Sequence, residues 1–102
     1  MRVEWSHFAR DDLDSIVLYI ARDSRFYAQA FAERVLSATR RLTDFPLSGR
    51  TIPEADDNAM REIIVQGYRV MYRAEPEQVL ILAVMHGSRV MRDPGNQPWN
   101  KA

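Results

Sequence analysis

The chain has 102 residues and carries 14 basic and 14 acidic side chains, so its formal net charge is zero. This length predicts one domain, and 46% hydrophobic with 27% charged residues is the composition of an ordinary globular protein. The neutral balance argues against nucleic-acid binding by bulk electrostatics, and the absence of cysteine excludes disulfides and cysteine-based zinc sites. No apolar run has the length of a signal peptide or a membrane span, so we expect a cytoplasmic chain without membrane association.

The N-terminal residues predict a short strand followed by a helix. Arg2–Trp5 alternates polar and apolar side chains, which is typical of a strand with one buried face. Ser6 is a suitable N-cap for a helix that ends at Asp23, and Ser24 in turn is placed to cap the next helix. The apolar stripe of the first helix comprises Ala9, Leu13, Ile16 and Ile20, with Phe8, Val17 and Tyr19 widening it.

A second helix is predicted from Arg25 to Thr43, and Phe45-Pro46 ends it because the residue before proline avoids the α region. The break between the helices is very short, so they should form an antiparallel hairpin. Residues Pro46–Ala59, the connecting segment, contain Pro, Gly and Asp at loop frequency. The apolar face of the second helix comprises Ala28, Phe31, Val35, Ala38 and Leu42.

Three successive strands are predicted in the second half of the chain, namely Arg61–Val65, Tyr68–Ala74 and Val79–His86. Gln66-Gly67 suits a tight hairpin turn, and Glu75-Pro76-Glu77 forms the next connection. The last strand is apolar on both alternating faces, so it should lie inside the sheet with both faces largely covered. Its two sets of side chains are Val79, Ile81, Ala83 and Met85 on one face and Leu80, Leu82 and Val84 on the other.

The predicted order is β-α-α-β-β-β, an α+β domain in which a helical hairpin packs on one face of a small, mostly antiparallel sheet. We expect the other face to stay free and to be fringed by arginines. Tyr68, Val70 and Tyr72 then point to the core, whereas Arg69 and Arg73 share the opposite face. The domain covers residues 1–90, and residues 91–102 form an irregular tail that Trp99 either anchors or leaves mobile.

Several short motifs in this order resemble the ParE/RelE superfamily of bacterial type II toxin–antitoxin toxins. They span residues 3 to about 90, and together they are far more specific than any one of them alone. The motifs are Ala9-x3-Leu13-x2-Ile16-x2-Tyr19-Ile20, Phe45-Pro46-x2-Gly49-Arg50, Pro53-Glu54, Arg61-Glu62-x5-Gly67-Tyr68-Arg69-x2-Tyr72 and Val84-x-His86-Gly87-x-Arg89.

The resemblance implies a small toxin that is neutralised by a cognate antitoxin, without a cofactor or a metal. For the ParE-like branch it implies a ParD-like antitoxin with a ribbon-helix-helix DNA-binding region, and DNA gyrase as the target. The toxin alone is not expected to bind operator DNA. Arginine forks suit carboxylates at protein interfaces. The candidate partner-binding residues are Arg50, Arg61, Arg69, Arg73 and Arg89.

A RelE-like activity, cleavage of mRNA in the ribosome, is the alternative that the resemblance implies. Such cleavage needs a base, an acid and cations around the phosphate. The candidates are His86, partnered by Glu62 or Glu54, with Arg61, Arg69, Arg73 and Arg89 as cations. Against this alternative, Lys101 is the only lysine, no tyrosine follows Tyr72, and a protein docking on ribosomal RNA would be expected to be basic. The ParE-like branch is therefore favoured.

Structural roles for the same residues stay open at this stage. His86 ends an apolar strand before a glycine and is either a turn or core histidine or a functional group. Arg69 and Arg73 either pair with Glu75 or Glu77 on a solvated face or form a docking surface for acidic side chains. A third hypothesis is a partner-binding module that has lost its toxicity and retains only antitoxin binding.

Overall fold

The computed structural model describes residues 1–88 and 97–100. Within them no helix has the length and apolarity needed to cross a bilayer. The regular elements are β1 (Arg2–Trp5), α1 (His7–Ala21), α2 (Arg25–Arg40), β2 (Arg50–Thr51), β3 (Met60–Val65), β4 (Tyr68–Ala74) and β5 (Gln78–His86), with 3₁₀ turns at Arg41–Thr43 and Pro98–Asn100.

The helical hairpin begins each helix with the serine cap that the sequence predicts. Ser6 Oγ accepts a hydrogen bond from the Ala9 N–H at 3.1 Å, and Ser24 Oγ accepts one from the Tyr27 N–H at 3.2 Å. Each bond satisfies a backbone donor that has no partner within the helix. The α-helical geometry of α2 ends at Arg40, three residues before the predicted end at Thr43, and a 3₁₀ turn completes the segment.

The five strands form one sheet in the order β1-β5-β4-β3-β2. Of the strands that the structure describes, only β1 and β5 pair in parallel; the long crossover connection that parallel pairing needs begins with the helical hairpin. The predicted hairpin turn between β3 and β4 is present, with φ of 50° at Gln66 and 83° at Gly67. Positive φ at both central residues defines a type I′ turn, whose twist matches that of the strands.

A two-residue strand within the connecting segment was not predicted. Arg50 and Thr51 of β2 pair with Glu62 and Arg61 of β3. Such a short strand contains no alternation for sequence reasoning to detect. The pairing nevertheless ties the connecting segment to the edge of the sheet.

A β-bulge in β5 changes the predicted assignment of its side chains to faces. Met71 pairs with Ala83 but Tyr72 pairs with Ile81, so Leu82 is an extra residue in β5. An extra residue reverses the alternation beyond it. Val84 therefore packs with Val79 and Ile81 beneath the helices, and Met85 packs with Leu80 and Leu82 on the other face, which corrects the sequence prediction.

The main core lies between the helical hairpin and the sheet. Tyr68, Val70 and Tyr72 of β4 belong to it, as predicted. Phe8 and Tyr19 do not complete the stripe of α1, because 51% and 64% of their surfaces are exposed. The buried members of this core from the helices and the 3₁₀ turn are Ala9, Phe31, Val35 and Leu42, and Ala28 and Thr39 of α2 are buried as well.

The opposite face of the sheet carries a second, smaller core, so the expectation of a free face is wrong there. The connecting segment lies over this face with Ile52 buried, and Trp99 packs against it from the C-terminal 3₁₀ turn. This packing is favourable because it removes the apolar side chains of that face from water. Its buried members from the sheet are Met60, Met71 and Leu82, and β5 is covered on both faces as predicted.

Candidate functional site

A buried carboxylate, Glu62, lies at the centre of the predicted arginine-rich region. It projects from β3 to the face opposite the helices and is fully buried. Glu62 Oε2 accepts a hydrogen bond from Arg50 Nε at 2.7 Å, and Oε1 accepts one from Arg69 Nε at 2.6 Å. Both oxygens are therefore engaged in charge-assisted bonds.

Arg69 lies inside the protein, which corrects both alternatives considered from the sequence, a solvated cation paired with Glu75 or Glu77 and part of a docking surface. Only 6% of its side chain is exposed. Its Nη1 and Nη2 donate to the two oxygens of Glu54 at 2.9 Å, which holds the connecting segment against the sheet. The bond to Glu54 raises the pKa of Arg69 above its ordinary value, assisted by Glu62 and opposed by burial. The guanidinium is committed to internal carboxylates because the connecting segment covers this face.

Arg61 supports the loop that precedes β2. Its Nη1 donates to the carbonyl oxygens of Leu47 at 3.2 Å and Gly49 at 3.1 Å. The Gly49 N–H donates to the hydroxyl of Tyr72 at 3.0 Å, and a Cβ at Gly49 would lie 2.7 Å from that oxygen. Burial raises the pKa of Tyr72, although the Gly49 bond and the charge of Arg61 oppose it. Glycine is needed here because two chain segments approach closely.

Of the remaining predicted cations, Arg73 and Arg50 contact different groups. Arg73 Nη1 is 3.7 Å from a Glu75 oxygen, the pairing considered from the sequence, and Nη2 donates to the Trp99 carbonyl at 3.0 Å. Arg73 therefore helps to anchor Trp99. Arg50 keeps 61% of its side chain exposed despite its bond to Glu62. Arg89 lies outside the described residues.

His86 is exposed at the end of β5. Its Nδ1 lies 2.7 Å from Ser88 Oγ, and its ring meets the Tyr68 ring edge-on at a centroid distance of 5.6 Å. In the sheet register His86 is opposite Tyr68, whereas Glu62 is opposite Met71. No hydrogen bond or ion pair joins His86 to Glu62 or Glu54 in the described part of the chain. Among the same residues no group of three or more His, Asp or Glu side chains could hold a metal ion.

A groove between α2 and β3, the α2–β3 groove, was missed by sequence reasoning. It has a volume of about 730 Å³, and its lining includes Arg34 and Ser37 of α2, Arg41 of the 3₁₀ turn, Phe45, and residues 63–66. Phe45 is 65% exposed and Ile64 is 51% exposed. The sequence did contain a signal for this groove: Arg34, Ser37 and Arg41 recur at helical spacing on a face away from the apolar face of α2.

The elements and their order in the sheet define a small α+β protein with a helical hairpin on one face of the sheet. The family model for the ParE toxin of the parDE type II toxin–antitoxin system matches residues 3–91. The chain therefore belongs to the ParE toxin family, and the resemblance seen in its motifs is confirmed. Comparison with curated protein sequences gives no match.

Two solved structures share the fold of two helices packed on an open, mostly antiparallel sheet. The chromosomal ParDE toxin–antitoxin system from Pseudomonas aeruginosa contains a chain with 18% identity and a TM-score of 0.69, and the match covers 84% of this chain and 95% of that one. The toxin–antitoxin complex RelBE2 from Mycobacterium tuberculosis contains one with 24% identity and a TM-score of 0.56, covering 83% and 95%. At these identities the likeness concerns the fold.

Proposed function

We propose that this ParE-family toxin is a cytoplasmic poison of DNA gyrase that acts by binding, and that a ParD-like antitoxin with a ribbon-helix-helix region neutralises it. The match to the ParE family over nearly the whole chain supports this target. The toxin–antitoxin complexes among proteins of the same fold support the antitoxin. Arg50, Arg61, Arg73 and Arg89 remain candidate partner-binding residues, of which Arg50 is the most exposed in the described region.

One observation weighs most against the endoribonuclease alternative. Acid–base cleavage needs a free carboxylate or a second group within reach of His86. Glu62 has both oxygens in bonds with Arg50 and Arg69, and both oxygens of Glu54 accept from Arg69. The carboxylates predicted to partner His86 are therefore engaged by Arg50 and Arg69, and among the described residues neither forms a hydrogen bond with the histidine.

The alternative of a RelE-like ribosome-dependent endoribonuclease rests on His86. Its ring is exposed at the end of the sheet and Ser88 lies beside it, so a substrate can reach it. In that mechanism His86 is the acid or base and Arg61 and Arg89 are cations; Glu62, its candidate partner, would have to leave its bonds with Arg50 and Arg69. Substitution of His86 by alanine then abolishes cleavage and leaves the fold intact.

A direct comparison of the two activities tests the proposal. Purified toxin is added to DNA gyrase with ATP and relaxed plasmid, and separately to a reconstituted translation reaction with labelled mRNA. We expect inhibition of supercoiling with accumulation of cleaved DNA, intact mRNA, and full reversal by one equivalent of antitoxin. The His86→Ala variant is the matched control and should inhibit gyrase as the original chain does.

Two other results would contradict gyrase as the target. Cleavage of mRNA that requires ribosomes and is lost in His86→Ala identifies a RelE-like enzyme. Tight antitoxin binding with neither activity identifies a partner-binding module that has lost its toxicity. The reading frame beside the gene provides an independent check, because a ribbon-helix-helix protein is expected there.

A further inference from the structure

We infer that the free edge of β1 pairs with β1 of a second copy of this chain, which joins two sheets across a two-fold axis. This self-association is independent of the proposed target and of the antitoxin. Three features of the molecule carry it: backbone groups without a partner at the sheet edge, charges of β1 that complement one another in a single register, and a net charge of zero.

The unpaired edge follows from the position of β1 at the end of the sheet, where its described neighbour is β5. The Ser6 N–H donates to the Ile81 carbonyl of β5 at 2.9 Å, and successive residues of a strand direct their backbone groups to opposite sides. Val3 and Trp5 therefore direct N–H and C=O away from β5, and no described residue supplies these groups with a hydrogen-bond partner. Such an edge accepts an added strand.

The side chains of β1 divide between the two faces of the sheet. Val3 and Trp5 pack against the main core beneath the helices, so Arg2 and Glu4 lie on the opposite face. Arg2 Nε lies 3.1 Å from Glu4 Oε1, and 68% and 44% of the two side chains stay exposed. Arg2 Nη2 also donates to Gln78 Oε1 at 2.9 Å. Because a guanidinium has five N–H donors, Arg2 can still bond to a carboxylate of a neighbouring strand.

The charges of β1 select one register for a two-fold pair. A strand edge that pairs with its own copy about a two-fold axis is antiparallel. When Val3 lies opposite Val3 of the second copy, Arg2 of each chain lies opposite Glu4 of the other. A shift of two residues in either direction keeps the backbone bonds in phase but places Arg2 opposite Arg2 or Glu4 opposite Glu4. Like charges directly opposite destabilise a strand pair and opposite charges stabilise it, so the Val3-centred register is favoured.

The size of the contact indicates a weak dimer. Each copy contributes a strand of four residues, whereas a stable interface of standard size has about 20–30 residues a side. The two Val3 side chains add an apolar cross-strand contact. The zero net charge removes the general repulsion that would oppose association of two copies. We therefore expect a micromolar or weaker dissociation constant, with the monomer predominant in dilute solution.

Charge variants of β1 test the pairing by sedimentation equilibrium of the whole chain, from micromolar to millimolar concentration. Arg2→Glu makes both charged positions acidic and Glu4→Arg makes both basic, so each variant alone should associate at least about tenfold more weakly. An equimolar mixture of the two variants should associate as strongly as the original chain, because opposite charges again face each other. Arg25→Glu and Glu33→Arg make the same changes in charge at exposed positions of α2. These controls, alone or mixed, should stay within about twofold of the original chain.

Hydrogen exchange of the unaltered chain tests the strand pairing without any substitution. The Glu4 amide is directed to β5 and should be protected at every concentration. The Val3 amide should exchange rapidly in dilute solution and at least about tenfold more slowly in concentrated solution. Equal exchange of the Val3 amide in dilute and concentrated solution would overturn the pairing.

The outcomes also separate pairing through β1 from other uses of this edge. A chain that stays monomeric over the whole range, or that associates equally with and without the β1 substitutions, refutes the inference. Protection of the Val3 amide that requires the antitoxin and does not depend on toxin concentration assigns the edge to the antitoxin and refutes it as well. The proposed gyrase activity is measured independently by the supercoiling reaction, so its failure and the failure of the β1 pairing are distinguishable.

Discussion

Substitution of Arg69 by methionine isolates the energetics of the buried ion-pair network. Methionine keeps much of the aliphatic length of arginine and removes all three bonds to Glu54 and Glu62. Glu62 is then a fully buried carboxylate whose one remaining partner, Arg50, is 61% exposed. Glu54 is 17% exposed and can reach water by a side-chain rotation.

The expected loss of stability is large for a domain of this size. Removing one partner of a buried ion pair costs about 3–5 kcal/mol, because the remaining charge is left without compensation. The total free energy of unfolding of a natural domain is about 5–15 kcal/mol. The Arg69→Met variant should therefore still fold at 25 °C, but with a small remaining free energy of unfolding.

A second variant distinguishes an unpaired charge from loss of packing. In Arg69→Met/Glu62→Met the buried charge is also removed, so most of the loss should be recovered, to within about 1–2 kcal/mol of the original chain. Arg2→Met is the control, since its pair with Glu4 is exposed and is expected to contribute about 0–1 kcal/mol.

Urea unfolding of the isolated toxin at pH 7, followed by far-ultraviolet circular dichroism, measures these differences as shifts in midpoint at constant slope. A loss below about 1 kcal/mol for Arg69→Met would show that the network does not stabilise the fold as argued. A double variant as unstable as the single one would show that lost packing, not the unpaired carboxylate, is the cause.

Three further changes test individual contacts. Burial raises the pKa of Tyr72, so the unfolded chain loses this proton at a lower pH than the folded chain, and the associated stability is present below about pH 10 and lost as pH rises further. Tyr72→Phe should remove this loss. If Tm fell equally in the variant and in the original chain from pH 8 to 11, the argument would be contradicted. Gly49→Ala places a Cβ 2.7 Å from the Glu62 carbonyl oxygen and should lower the free energy of unfolding by about 1–3 kcal/mol. Gly67→Ala should lower it less, because its Cβ would contact nothing although φ is positive. Equal urea midpoints for the two variants would refute the close-approach argument. Gln66→Asn creates the Asn-Gly pair that type I′ turns prefer and should raise the free energy of unfolding by up to about 1 kcal/mol. A lower Tm for this variant would contradict the assigned turn.

The elements of the fold were predictable because their signals are local. Ser6 and Ser24 cap the helices that follow them, and β1 and β4 have the predicted bounds. The Gln66-Gly67 turn fixes the register of β3 against β4. Each of these features depends on residues a few positions apart, and the short motifs in their order and spacing indicated the ParE/RelE superfamily.

The environment of the arginines was predicted less well, because it depends on partners distant in the chain. Arg69 shares its strand face with Arg73 as the alternation implies, yet Glu54, 15 residues away, buries it. His86 ends its strand as predicted, but the carboxylates proposed to assist it are bonded elsewhere. The sequence suggested the Arg73–Glu75 pairing, which is local, but could not assign Arg69 to Glu54 and Glu62.

By itself the sequence determined the helical hairpin, four of the strands, the tight turn and the family of the protein, since alternation, caps and turn residues act within short segments. Only the tertiary structure decided which surface is available. The bulge at Leu82 exchanges the faces of Val84 and Met85, and the connecting segment covers the face that was expected to be free. These features arise from packing between segments far apart in the chain. There, the burial of apolar side chains and the pairing of the buried Glu62 charge outweigh the conformational preferences of the local sequence.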